Sequence, residues 1–403
     1  MVSAKRRKEK SVSKVVNPTP GPSTIQDVST LIEKAHSLLA QSNFEVAIKI
    51  LKKVIQLQPD NLEGRELLGV AELEGGDEDV GREHLLSLFP PHTPNPPQTH
   101  SPYLYLAQSA ENPHEALGYY STAAAMIEND LKESQLSKEE EVEKRGMAVT
   151  ALVAMIEIWM SDLCFEDAAE TNCDALISRA ISISPNDPEV RLSLASIRMS
   201  QQRTEEAETV VMGLYDEIKE KQPFDESLPA LPVRLNLTRQ LLEHHLHLPA
   251  LDIVQTIREE DSLNVEGAYL EGWALYLRGE ALSSSRPQQP ETSPHSLNAI
   301  PSHGIDPRSS NIAGNVPKVG MEDIDVEDGL KGNEEVWSTP EECFSEAMRS
   351  LMECAKLYEE QEYLDEGIGA HVAELLEGLD KKGVKPAEEE WEDEDDAEDV
   401  EMV

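Results

Sequence analysis

A small residue, a bulky one four positions later and an apolar one three positions after that recur along this chain. The triplets are Ala47, Leu51 and Val54; Ala116, Tyr120 and Ala123; Ala207, Val211 and Leu214; and Ala347, Leu351 and Cys354. A looser copy is Ala250, Val254 and Ile257. Steps of four and three place each triplet on one face of an α-helix. The small residue lets a neighbouring helix approach closely, and the bulky one fills the groove beside it. No segment shows alternating apolar patterning with hairpin turns, so essentially no sheet is expected.

Each such helix is preceded by another with its own marks. In Asn61–Gly76, the Leu68-Gly69 pair is followed seven residues on by Gly76, and Gly272 and Gly279 repeat that interval. Leu194-Ala195 likewise precedes Ala207. The phrases Gln58-Pro59-Asp60-Asn61 and Ser184-Pro185-Asn186-Asp187 close one pair and open the next, because Pro stops a helix and Asp or Asn caps one. Paired helices with these marks, at a period near ~34 residues, resemble the tetratricopeptide repeat. The fold class that follows is all-α: a superhelical solenoid of about seven helix pairs, several of them degenerate. The third pair has a shortened turn at Asn112-Pro113, and the fourth, Met147–Ser184, carries extra residues between its helices. In the seventh, the first helix (Val265–Ala281) is separated from the second (Pro340–Tyr358), and Tyr363–Leu379 serves as the terminal cap.

Composition divides the chain around these helices. Residues 1–23 are basic, then rich in Pro, Ser and Thr, and are expected to be a disordered tail. Residues 24–282 hold the helix pairs, with a Pro-rich break at Phe89–Pro102. Residues 283–339 form a Ser/Pro-rich insertion expected to be disordered, 340–380 supply the closing helix and cap, and 381–403 form an acidic tail. The chain opens MVSAKRRKEKSVSK without an apolar stretch behind its charges, so no signal peptide is expected. The most apolar run, Met147–Met160, is broken by Thr150 and Glu157 and is too short to span a bilayer. Four cysteines without a CxxC pair suit neither a disulfide scaffold nor zinc.

Charge sets the class of partner. Asp and Glu number 78 against 35 Lys and Arg, a formal net charge of −43. Eleven of those acids lie in Glu388–Glu401, and removing them leaves the body strongly acidic. Such a field repels nucleic acid and anionic lipid and attracts basic proteins. Neither direct nucleic-acid binding nor membrane association is therefore expected.

Catalytic signatures are missing. The chain contains no GxxxxGK[ST], GxGxxG or GxSxG, so no enzyme activity and no cofactor is expected. His244 and His247, three apart on an expected helix, are the best metal pair, but without HExxH spacing they fit a structural or neutral role, and no metal site is assigned. Binding has better support. Projecting the repeat register puts Glu63, Glu66, Glu189, Glu266, Tyr269, Trp273 and Tyr276 on a concave face lined by the first helix of each pair. The carboxylates suit Lys or Arg of a client, and the rings suit cation–π or aliphatic contacts. The alternative for Trp273 and Tyr276 is packing against the neighbouring pair. Lys5, Arg6, Arg7 and Lys8 fit a monopartite nuclear localisation signal.

The phrase WMSDLCFEDAAE over Trp159–Glu170, with the basic start, split late repeat and acidic end, resembles the fungal dedicated assembly chaperones of large-subunit ribosomal protein L four. Tyr358-Glu359-Glu360-Gln361 and Ala373-Glu374-Leu375-Leu376 support the likeness. The resemblance implies a chaperone that shields the client's long basic internal loop, travels between cytoplasm and nucleus, with an importin as a further partner, and delivers the client to pre-ribosomes. The rival is an acidic tetratricopeptide histone chaperone. Against it, the 283–339 insertion holds only a mild acidic patch, Glu322–Asp328. A clamp for an acidic peptide would need cations where the first pair carries Ile32 and His36.

Overall fold

The computed structural model describes residues 22–133, 136–285 and 337–387. Fifteen helices and no strand occur among the described residues. They fall into two compact units that part between Arg203 and Thr204. In the first, α1 (Pro22–Leu39), α2 (Phe44–Leu57), α3 (Leu62–Gly75), α4 (Glu78–Leu86), α5 (Ser101–Gln108), α6 (Pro113–Glu133), α7 (Lys138–Met160), α8 (Ala169–Ile183) and α9 (Pro188–Ser200) follow one another. The second holds α10 (Thr204–Ile218), α11 (Leu231–Glu243), α12 (His247–Glu260), α13 (Val265–Ser285), α14 (Pro340–Glu360) and α15 (Glu366–Lys381).

The repeat triplets form the core. All fifteen of their residues are buried, and the most exposed, Tyr120, shows 8 % of its surface. The small positions act as the spacing implied. A Cβ on Gly69 of α3 would meet the Leu85 side chain of α4 at 2.7 Å, and one on Gly272 of α13 would meet Leu351 of α14 at 2.6 Å. A methyl group there would collide with the bulky residue of the partner helix, so glycine is what lets the two axes close.

Local caps set where helices start. Asn61 accepts a hydrogen bond from the Gly64 amide at 2.7 Å, and Asp187 accepts one from Glu189 at 2.9 Å. Ser137 and Glu140 make a capping box, as do Thr339 and Glu342. That first box starts α7 at Lys138, nine residues ahead of the apolar run at Met147, and Asp365 starts α15 at Glu366 rather than Tyr363. α1 already begins at Pro22 and α13 continues to Ser285, so both helices pass the boundaries drawn from composition. Beyond α15 the chain turns back on α14: Ser345 Oγ donates to Lys385 O at 2.8 Å, and the Ala387 amide donates to Ser345 O at 3.2 Å. The basic run Lys5–Lys8, the acidic run Glu388–Glu401 and most of the 283–339 insertion lie outside the described residues.

Candidate functional site

In the first unit, the carboxylates of interest stand on α3, α7 and α9. Glu63 of α3 faces His36 of α1, with Nε2 to Oε1 at 3.3 Å. Glu66, one turn on, is half-buried, and burial raises its carboxyl above the usual 4.5 despite a hydrogen bond with Ser101 of α5; Glu63 adds to the rise. The same neighbourhood raises the phenol of Tyr105 on α5, through burial first and then Glu74 and Glu66. The carboxylates Glu63, Glu66 and Glu74 of α3 therefore lie beside His36 of α1 and Ser101 and Tyr105 of α5.

A second group of carboxylates stands on α7 and α9. A groove of about 380 Å³ opens between the α5–α6 turn and α7, lined by Gln108, Glu111, Tyr120, Glu157, Ile158 and Asp162 among others. Desolvation raises Glu157. Glu189 on α9 is raised by burial, then by Asp187 and Glu157. Among the described residues, no Lys or Arg pairs with Glu66, Glu157 or Glu189. Four of this unit's cations are taken elsewhere: Arg82 by Glu115, Lys144 by Asp130, Arg179 by Glu128 and Arg198 by Asp174. Carboxylates held near apolar walls without a counter-charge are destabilised in their ionised form, and a ligand cation would relieve that.

The α13 group behaves differently. Glu266 is paired with Arg239 of α11. Tyr269 stacks on Trp273 with centroids 5.7 Å apart, and its hydroxyl lies 2.7 Å from Nδ1 of His371 on α15. His371 also meets the Trp273 ring edge-on at 5.5 Å. Tyr276 packs at 5.9 Å against Phe344, and Lys382 sits over both rings. Of the four, Tyr269 and Trp273 meet each other, while Glu266 turns to α11 and Tyr276 to α14, so these side chains have partners from within the unit. Trp273 and Tyr276 stay half-exposed, and the contacts they make are with the cap α15 and with α14 of their own pair rather than with a neighbouring pair.

His244 and His247 do not share a helix. α11 ends at Glu243, His245 turns the chain with φ 61°, and His247 is the first residue of α12. Burial, then His245 and Arg278, pushes the His247 imidazole down to about 4. Among the described residues, no three His, Cys, Asp or Glu gather as a metal set, and no helix is long and apolar enough to cross a membrane.

Sequence reasoning passed over Glu111, Glu157 and Asp162. The signal was present at Glu157, which interrupts the apolar run of α7; a charge kept within such a run marks a face turned to something polar.

Comparison with known proteins gives the same direction. A model of the tetratricopeptide-repeat family matches residues 32–88. A protein of Emericella nidulans named probable assembly chaperone of rpl4 is 28% identical over 300 residues, 72% of this chain and 74% of that one. Its namesake in Schizosaccharomyces pombe is 26% identical over 297 residues, 73% of each chain. A solved structure titled assembly chaperone of RpL4 (Acl4), residues 1-338, superposes with a TM-score of 0.57 at 28% identity, covering 64% of this chain and 99% of that chain. The chain resembles the assembly chaperones of rpl4. Its fold is of the tetratricopeptide-repeat kind, and the likeness reaches well past the span that the family model matches.

Proposed function

We propose that this protein is a dedicated chaperone of large-subunit ribosomal protein L4, shielding the client's long basic internal loop until delivery to nuclear pre-ribosomes. The observation that carries the reading is the set of carboxylates without a Lys or Arg partner on α3, α7 and α9, Glu66 and Glu189 half-buried and Glu157 at the mouth of the groove, in a chain of net charge −43 whose relatives bear that name. A detached, RNA-seeking basic segment needs its charge neutralised, and fixed carboxylates supply this with the kind of contact that rRNA phosphates later replace. Release follows when rRNA outcompetes the carboxylates. Lys5, Arg6, Arg7 and Lys8 serve an importin, so the chaperone works in both cytoplasm and nucleus. No catalytic step is involved.

The test is purification of the tagged full chain at low salt, followed by binding of recombinant L4. A single ribosomal protein in near-equal amount supports the reading; histones in its place, or no basic partner, overturn it. Charge reversal at Glu66, Glu157 and Glu189 is expected to weaken L4 binding by about tenfold or more while preserving helicity. Undiminished affinity removes this surface from the contact, and failure of rRNA fragments to displace L4 sinks the release step.

A further inference from the structure

The turn between α7 and α8 carries an aromatic side chain that the fold does not use. α7 ends at Met160, and α8 begins only at Ala169. The turn is held by its own backbone: Leu163 N donates to Ile158 O at 3.1 Å, Glu166 N to Leu163 O at 3.0 Å, and Ala169 N to Glu166 O at 3.0 Å. Leu163 is its buried anchor. Phe165, two residues later, is 98 % exposed. A lone exposed apolar residue is ordinary, but two features single this one out.

One is a cavity of about 400 Å³, lined by its neighbour Cys164, by the buried Trp159, Ala169, Cys173 and Ile197, and by the polar Glu170 and Gln201. The other is charge. Asp162, Glu166, Asp167 and Glu170 surround Phe165 in the sequence. Glu166 meets His114 at 3.0 Å, and Gln201 Nε2 reaches Glu170 at 3.4 Å. Asp162 and Asp167 have no Lys or Arg partner among the described residues. Asp162 also lines the acidic groove beside Glu157, so the turn continues that surface.

We propose that the α7–α8 turn docks a short segment of the basic client in which apolar side chains are flanked by Lys or Arg. Phe165 packs on one apolar side chain, the cavity beside Cys164 takes a second, and Asp162 and Asp167 meet the flanking cations. The proposal rests on the chaperone reading above. Charge selects the occupant: a second copy of this chain would bring four carboxylates against four, on bodies of −43 each, whereas a basic segment matches both the ring and its rim.

The experiment measures binding of full-length L4 to the full chain at several salt concentrations. Phe165→Ala is expected to weaken binding about tenfold, as for a buried aromatic anchor, leaving the salt dependence and the thermal midpoint unchanged. Phe165→Trp is expected to restore affinity, and Asp162→Asn with Asp167→Asn to reduce the salt dependence. If Phe165→Ala binds within about twofold of wild type while charge reversal at Glu66, Glu157 and Glu189 abolishes binding, the turn is not a docking element and the chaperone reading stands. A wild-type chain that does not bind L4 overturns both. Wild type that sediments as a dimer, dissociated by Phe165→Ala, assigns the surface to a second copy and overturns the client.

Discussion

At the scale of the residue, one substitution has opposite signs at two glycines. Gly118 lies exposed within α6, and a Cβ there meets nothing within 4 Å. Gly118→Ala is therefore expected to stabilise by about 0.5–1 kcal/mol, the helix-propensity difference. Gly272→Ala gains the same propensity but drives its methyl against Leu351, whose backbone amide also lies 3.2 Å from the new atom. A net loss of about 1–3 kcal/mol is expected, as for an overpacked core. Urea unfolding of the two variants checks the signs, and Leu351→Val should recover part of the second loss. His247 gives a pH signature. Its folded pKa of about 4 lies below the ordinary 6.5, because burial and the nearby His245 and Arg278 disfavour the charged ring. The unfolded chain then binds the proton first. Stability contributed by the neutral ring is intact above about 6.5 and is lost as pH falls toward about 4, by about 3 kcal/mol in full. Buried carboxylates such as Glu271, raised by desolvation, act in the opposite sense over that window. The readout is therefore wild type minus His247→Leu, which should be flat above about 6.5 and slope below it.

At the scale of the element, α13 and α14 form an antiparallel hairpin although 54 residues separate them in the chain. Gly272 meets Leu351 and Gly279 meets Phe344, two contacts in one register. The thiol of Cys354 adds a contact to the Val265 carbonyl at 3.4 Å. Continuing that register brings Ser285 level with Ser338. Replacing residues 286–336 by a few Gly and Ser residues should leave the thermal midpoint within a few degrees of wild type, since short closure of adjacent ends costs little entropy. A fall of more than about 10 °C would mean that the insertion contributes to the packing of α13 and α14. The same hairpin shows which parts of the fold were legible in advance. The triplet and its glycine were readable because both partners of each contact repeat at fixed spacing. The aromatic cluster of α13 was not, because its partner His371 lies in α15, about a hundred residues along, and helical spacing within α13 carries no trace of it. The true start of α7 was available locally in the Ser137–Glu140 capping box, but the apolar run that draws attention begins only at Met147. At the candidate site, Glu63, Glu66 and Glu189 followed from the repeat register, whereas Glu111 and Asp162 sit in turns where no register applies.

At the scale of the whole molecule, the charge excess and the raised carboxylates make one argument about how a basic client is held. Glu66, Glu157 and Glu189 are each raised above the ordinary carboxylate value chiefly by desolvation, so in the free protein they take up protons at higher pH than an ordinary carboxylate does. A Lys or Arg brought alongside favours the ionised form and lowers those pKa values. Binding must then release protons, and by linkage the affinity rises with pH up to the raised pKa values and levels off above them. L4 binding is accordingly expected to weaken as pH falls through the range in which these carboxylates take up protons, and there its heat should depend on the ionisation enthalpy of the buffer. Long-range attraction by the remaining surface acids obeys a different law. It is screened over about 8–10 Å at ordinary ionic strength, and it governs the association rate more than the final contacts. Raising salt at pH 7 should therefore slow association strongly and accelerate dissociation little. Charge-neutral variants at Glu66, Glu157 and Glu189 should do the reverse, and should also abolish the buffer-dependent heat. A pH-independent affinity with unchanged heats would show that these carboxylates are not where the client's cations sit, whatever the net charge contributes to drawing it in.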